Sequence, residues 1–196
     1  MNALIYQPGL AIASLWGAFV LSWLAAMLWS DRAAKRLGMG KEIAYRIVLI
    51  VGAVLFGIPA HGYTGPMRLW LVSLTEAWIC VALMVAGFAF AWWARIYLGK
   101  LWSGNITTKA DHRVVDTGPY AIVRHPIYTG ILLAVFATMA AKGTIAGIAG
   151  AILITLGLWM KARLEEGFLR EQLGADAYDA YRRRVPMLVP FGPKAA

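Results

Sequence analysis

The residues from Gly118 to Gly130, Gly-Pro-Tyr-Ala-Ile-Val-Arg-His-Pro-Ile-Tyr-Thr-Gly, place an arginine, a histidine and two tyrosines between turn-forming residues. Pro119 and Pro126 lack amide donors, and the flanking glycines loosen the backbone. Main-chain groups here are left able to grip a small polar molecule beside Tyr120, Arg124, His125 and Tyr128. A second polar group, Glu165-Glu166, follows further along. His112 and His125 could in principle share a metal, but neither a carboxylate nor a cysteine stands at ligand spacing, so no metal site is expected.

The elements that position these groups are apolar. With 60% hydrophobic residues, 15% charged residues and a mean hydropathy of +0.63, the 196-residue chain reads as one all-α integral membrane domain. Apolar stretches recur at about 10–30, 43–60, 70–94, 127–141 and 144–160, and a bilayer core asks for roughly 20 helical residues per span. About five transmembrane helices are predicted, the last two forming a short helical hairpin about Lys142-Gly143. Of the 19 Lys and Arg, 17 fall in 31–46, 95–125 and 161–194, leaving Arg68 and Lys142. Five spans put those three segments on one face, which the positive-inside rule makes cytoplasmic. The N-terminus is then expected outside, and the C-terminus and the polar cluster in the cytoplasm. This arrangement accounts for the net charge of +9 without nucleic acid. Cys80 is the single cysteine, which excludes a disulfide framework. No basic residue precedes the first apolar stretch, so a cleaved signal peptide is not expected.

The chain divides near residue 95. Residues 1–94 read as a scaffold of three spans shaping the lipid side, and 95–196 as a catalytic region of connector, hairpin and C-terminal helix and tail. Gly38-Met39-Gly40 lacks the preceding strand and third glycine of a dinucleotide loop. Glu76, the one carboxylate inside a span, is read as structural, pairing with Arg68 or His61. Gly143, Gly147 and Gly150 favour close packing of the last span. Trp92, Trp93, Tyr97 and Trp102 form an interfacial belt, some of whose members could line a lipid entrance. The segment from Lys161 to Leu173 continues the fifth span and ends at Gly174. On that helix Glu165 and Glu166 are about 100° apart, so at most one faces a given site.

Connector, hairpin mouth and terminal helix together offer carboxylates, backbone donors and aromatic walls. A cofactor with an amino group, a carboxylate, a ribose and an adenine needs each of these. Asp111-His112-Arg113-Val114-Val115, Gly118-Pro119-Tyr120, Arg124-His125-Pro126-Ile127-Tyr128-Thr129-Gly130, Glu165-Glu166-Gly167-Phe168-Leu169 and Gly174-Ala175-Asp176-Ala177-Tyr178 occur in that order. With Tyr181, Arg184-Val185-Pro186 and Pro190, this order resembles the isoprenylcysteine carboxyl methyltransferase family over about 95–190.

The resemblance implies a membrane-embedded methyltransferase using S-adenosyl-L-methionine, with the donor held by the hairpin and tail and a lipidic substrate admitted between helices. Carried over by position, His112, Val115, Gly118, Tyr120, His125, Pro126, Tyr128, Glu165 and Glu166 would surround the cofactor. Arg95, with Arg163 as the match for a second arginine and Asn105 assisting, would act on the substrate carboxylate. Trp92, Trp102 and Arg124 join Arg95 as substrate-binding candidates. The implied acceptor is an isoprenylcysteine-type carboxylate or another lipophilic molecule, with phospholipid amines and thiols as alternatives. An NADPH-dependent sterol-type reductase shares a tyrosine and Val-Pro tail but needs further phosphate-binding basic residues. A small transporter needs a polar path across the bilayer, where Glu76 alone lies at depth.

Overall fold

The computed structural model describes residues 2–29, 35–36, 38–58, 67–102, 107–108 and 114–194. Asn105, His112 and His61 lie outside the described residues. Apart from a two-residue antiparallel pair, β1 (Lys35–Arg36) with β2 (Thr107–Thr108), the regular structure among the described residues is helical. Its helices are α1 (Asn2–Met27), α2 (Met39–Gly57), α3 (Leu74–Leu98), α4 (Pro126–Lys142), α5 (Ile145–Leu173) and α6 (Ala175–Arg184), with short 3-10 turns at Gly99–Leu101 and Gly118–Ala121.

Local chemistry sets the helix ends. Ser73 caps α3 in a capping box: its hydroxyl accepts from the Glu76 amide at 3.2 Å, and the Glu76 carboxylate accepts from the Ser73 amide at 2.6 Å. The structural role expected for Glu76 is therefore met by its own helix start, not by Arg68. Pro126 begins α4, where a missing amide donor costs nothing. Gly143, at φ 59°, ends that helix, and the Thr144 side chain caps α5 by accepting from the Gly147 amide at 3.1 Å. Gly174, at φ 94°, separates α5 from α6, at the boundary the sequence places there.

The helices at 126–142 and 145–173 are joined by the tight turn that Lys142-Gly143 predicts, yet each packs mainly against an earlier helix. α4 lies along α3 and α5 along α2. Glycines explain the partnership, because they let backbones touch. A Cβ on Gly87 of α3 would sit 2.5 Å from the Gly130 carbonyl oxygen of α4, and one on Gly150 of α5 would sit 2.6 Å from the Phe56 amide nitrogen of α2. Gly52 and Gly157 extend the second crossing. Gly143 and Gly147 instead serve the turn and the cap.

α1 joins through aromatic packing: Phe19 stacks on Phe88 at 4.3 Å, Trp16 meets Phe88 edge-on at 5.0 Å, and Trp16 Nε1 donates to Thr138 Oγ1 at 3.0 Å. Outward faces carry exposed aliphatic side chains, among them Leu21, Ile50, Val54, Leu133 and Ile152. The segments Gln7–Met27, Leu74–Leu101 and Ile145–Leu173 are each long and apolar enough to cross a membrane, and α4 is a shorter apolar helix. α2 matches the second predicted stretch but carries Lys41, Glu42 and Arg46 near its start.

Candidate active site

A cavity of about 340 Å³ opens among the ends of the helices. One wall is apolar, built from Trp23 and Met27 of α1, Leu49 of α2, Leu98 at the end of α3, Trp102 and Ile131. The polar part of the lining comes from the hairpin mouth, α5 and α6: His125, Tyr128, Lys161, Glu165, Tyr178 and Tyr181.

The polar wall is organised around the two glutamates. The phenol of Tyr128 lies 2.7 Å from both Glu165 carboxylate oxygens and donates to that group. The His125 ring stacks on Tyr128 at 5.3 Å and 3°. Lys161, one turn before Glu165, holds its ammonium 3.8 Å from that carboxylate and 5.4 Å from the Tyr128 ring centroid. Glu165 therefore faces the cavity.

Glu166 points the other way. Arg124 donates to it from Nε at 2.6 Å and Nη2 at 3.3 Å, Arg182 Nε lies 3.4 Å away, and its side chain is 5% exposed. His125 bridges the pair, Nε2 at 3.2 Å from Glu166 and Nδ1 at 3.6 Å from Glu165.

The tail completes the wall. Arg124 also donates to the carbonyls of Arg182, at 3.0 Å, and Val185. The amides of Arg124 and His125 donate to the carbonyls of Pro186 at 2.8 Å and Met187 at 3.0 Å. Short strand-like bonds thus bind the irregular backbone at the hairpin mouth, whose open donors the two prolines foretell. Tyr181 reaches back to donate to the Tyr120 carbonyl at 2.7 Å. Burial raises the pKa of Tyr120, Tyr178 and Tyr181, so these phenols stay protonated at neutral pH and serve as donors and aromatic surface.

Of the cofactor residues expected from sequence, Val115, Tyr120, His125, Pro126, Tyr128 and Glu165 meet at this cavity. Gly118 stands behind it, where φ 57° and a Tyr97 ring carbon 2.6 Å from any Cβ both demand glycine. Of the substrate candidates, Trp102 and Arg124 border the cavity, though the Arg124 guanidinium is taken up by Glu166 and the tail. Arg95 is fully buried behind Trp102, its guanidinium 4.4 Å from that ring. It donates to the carbonyls of Ala26 at 2.8 Å, Trp29 at 2.8 Å and Gly99 at 2.7 Å, closing the end of α1. Trp92 packs edge-on against Trp23 at 5.4 Å. Arg163 is exposed on α5, 5.8 Å from the Trp159 ring. Lys161, Trp23, Met27 and Leu49 were not singled out from sequence. The spacing of Lys161 from Glu165, one helical turn, is the signal that could have found the first. The other three are ordinary apolar residues placed there by helix packing.

Apolar outer faces, glycine crossings and a half-polar, half-apolar cavity at the helix ends define an integral membrane protein with a built small-molecule site. Residues 80–171 match the model of the isoprenylcysteine carboxyl methyltransferase (ICMT) family. The chain is similar to protein-S-isoprenylcysteine O-methyltransferase of Schizosaccharomyces pombe, with 32% identity over 51% of this chain and 43% of that protein. It is similar to protein-S-isoprenylcysteine O-methyltransferase B of Arabidopsis thaliana, with 29% identity over 69% and 64% of the two chains. Methanethiol S-methyltransferase 2 of Bradyrhizobium diazoefficiens shares 45% identity over 36% of this chain and 26% of its own. The chain thus spans less than two thirds of the length of each of these relatives. The match over residues 80–171 is to the same family that the motif order of the sequence resembles.

Proposed function

We propose that this protein is an S-adenosylmethionine-dependent methyltransferase of the membrane, acting on a lipid-like acceptor, foremost the carboxylate of an isoprenylcysteine-type molecule. The observation that carries this reading is the one cavity that Glu165, Tyr128, His125 and Lys161 line together with the apolar Trp23, Met27, Leu98 and Trp102. Its volume lies within the roughly 300–1,000 Å³ usual for small-molecule sites. The residues suit the donor. Glu165 would hold its ammonium or ribose hydroxyls, Lys161 its carboxylate, and Tyr120, Tyr178 and Tyr181 would offer aromatic surface and donors.

When bound, the donor supplies an electrophilic methyl group on a sulfonium. An acceptor carboxylate is already nucleophilic at neutral pH, so orientation and exclusion of water can supply most of the acceleration without a general base. Tyr128 and His125 hold Glu165 in place. Trp102, backed by the Arg95 guanidinium, would fix the boundary between donor and acceptor, which makes Arg95 a positioning residue. Every polar residue of the cavity follows position 95, and the first half contributes apolar lining alone, at Trp23, Met27 and Leu49, which supports a lipid-shaping first half and a catalytic second half. Five spans, with the N-terminus outside and the site and C-terminus cytoplasmic, complete the reading: that arrangement gathers the basic segments on one face, which the positive-inside rule makes cytoplasmic.

The similarity to methanethiol methyltransferases favours a second acceptor class, a small thiol, for which deprotonation would matter and Glu165 or His125 could serve as base. Methyl transfer from labelled donor to a prenylated cysteine, to phosphatidylethanolamine and to methanethiol distinguishes them. Turnover of the prenylated cysteine, blocked when its carboxylate is esterified, is expected. Turnover of methanethiol alone would replace the carboxylate reading with the thiol one.

A further inference from the structure

Thr129, Leu133 and Phe136 follow one another at helical spacing along one face of α4, and the last two are exposed. Thr129 Oγ1 donates to the Leu188 carbonyl at 2.6 Å, so the tail crosses the head of this apolar stripe. Just beyond, the Gly192 amide donates to the Val189 carbonyl at 2.9 Å, closing a turn with Pro190 and Phe191 at its centre. Proline first and a positive φ second is the type II pattern, in which glycine ordinarily takes the second place. Here Phe191 takes it, at φ 60°, the one non-glycine residue with positive φ among the described residues. A bulky side chain in that region is strained, and packing does not explain it. Phe191 is 101% exposed and its neighbour Val189 65% exposed.

We propose that the 189–192 turn is an interfacial membrane anchor, which inserts Phe191 and Val189 into the leaflet that Leu133 and Phe136 face. The two residue steps from Leu188 to the tip of the turn reach at most about 7 Å, and Leu133 lies about 6 Å along α4 from Thr129. The tip is therefore within reach of the acyl boundary, the level at which aromatic rings settle. Exposed Arg183 and Lys194 flank it in sequence and suit lipid phosphates. The anchor has a consequence for the site. The carbonyls of Pro186 and Met187 hold the Arg124 and His125 amides, so a tip fixed in the lipid pins the tail against the hairpin mouth. The inference is independent of the reaction the site performs.

The test is spin-label depth in nanodiscs holding one protein each. In a Cys80→Ala background, a label at Val189→Cys is compared with references at Leu133→Cys on the lipid-facing stripe and Asp176→Cys on the polar α6. Collision with oxygen should exceed collision with a water-soluble nickel chelate at position 189, near the Leu133 value. Phe191→Gly, which suits the φ and preserves the turn, should move the value toward that of Asp176. An aqueous profile at 189 with Phe191 present, or a profile that Phe191→Gly leaves unchanged, overturns the proposal.

Discussion

Glu165 and Glu166 show how adjacent, chemically identical residues acquire different work from their surroundings. Helix geometry already says that they point apart. Which one faces the cavity depends on Arg124 and Arg182, remote in sequence, and that pairing is not readable from a string of letters. Glu166→Gln leaves the buried Arg124 guanidinium without its charge partner, and losing one member of a buried pair costs about 3–5 kcal/mol. A large drop in the thermal midpoint of the detergent-solubilised protein is expected for Glu166→Gln, and little change for Glu165→Gln; equal melting of the two variants would contradict the division of roles. Arg95 was legible as a cation at the end of α3, but its three backbone carbonyl acceptors come from folding. Arg95→Ala is predicted to lower turnover more than S-adenosylmethionine affinity, because the guanidinium backs Trp102 without reaching the cavity. Equal losses in kcat and affinity, read from steady-state rates and calorimetry, would count against that placement.

Among elements, apolar length and punctuation located the long helices well, and Lys142-Gly143 and Gly174 marked real ends. Ser73-Leu74-Thr75-Glu76 carried the capping-box spacing in plain view, although it reads first as an intramembrane acid. Ser73→Ala should cost about 0.5–2 kcal/mol, measured by denaturant unfolding in micelles. Partner choice was the part that sequence concealed. A hairpin suggests that its two helices pair, whereas α4 settles on α3 because Gly87 and Gly130 meet backbone to backbone. A methyl group at either position must push the helices apart, and overpacking of this kind costs about 1–3 kcal/mol. Gly130→Ala should therefore destabilise the fold, while Gly167→Ala, where a Cβ meets open space, should not.

At the scale of the whole molecule, charge asymmetry carries the proposed orientation and the cavity carries the proposed chemistry. In a Cys80→Ala background, membrane-impermeant thiol reagents applied from outside should label Met67→Cys, in the connection between α2 and α3, and spare Asp176→Cys on α6. The reverse pattern would invert the topology. That His125, Tyr128 and Glu165 share one cavity was legible because they fall in motifs of one recognisable order; Trp23, Met27 and Leu49 were not, because they resemble any lipid-facing residues until α1 and α2 are packed. The proposed chemistry rests on the polar lining around Glu165 holding a methyl donor. Calorimetric titration of S-adenosylmethionine into the purified protein and into Glu165→Gln, with NADPH in parallel, is the decisive measurement. Saturable binding of S-adenosylmethionine alone, weakened at least about tenfold by Glu165→Gln (about 1.4 kcal/mol), is the predicted result; binding of NADPH instead, or S-adenosylmethionine binding indifferent to Glu165, would contradict it.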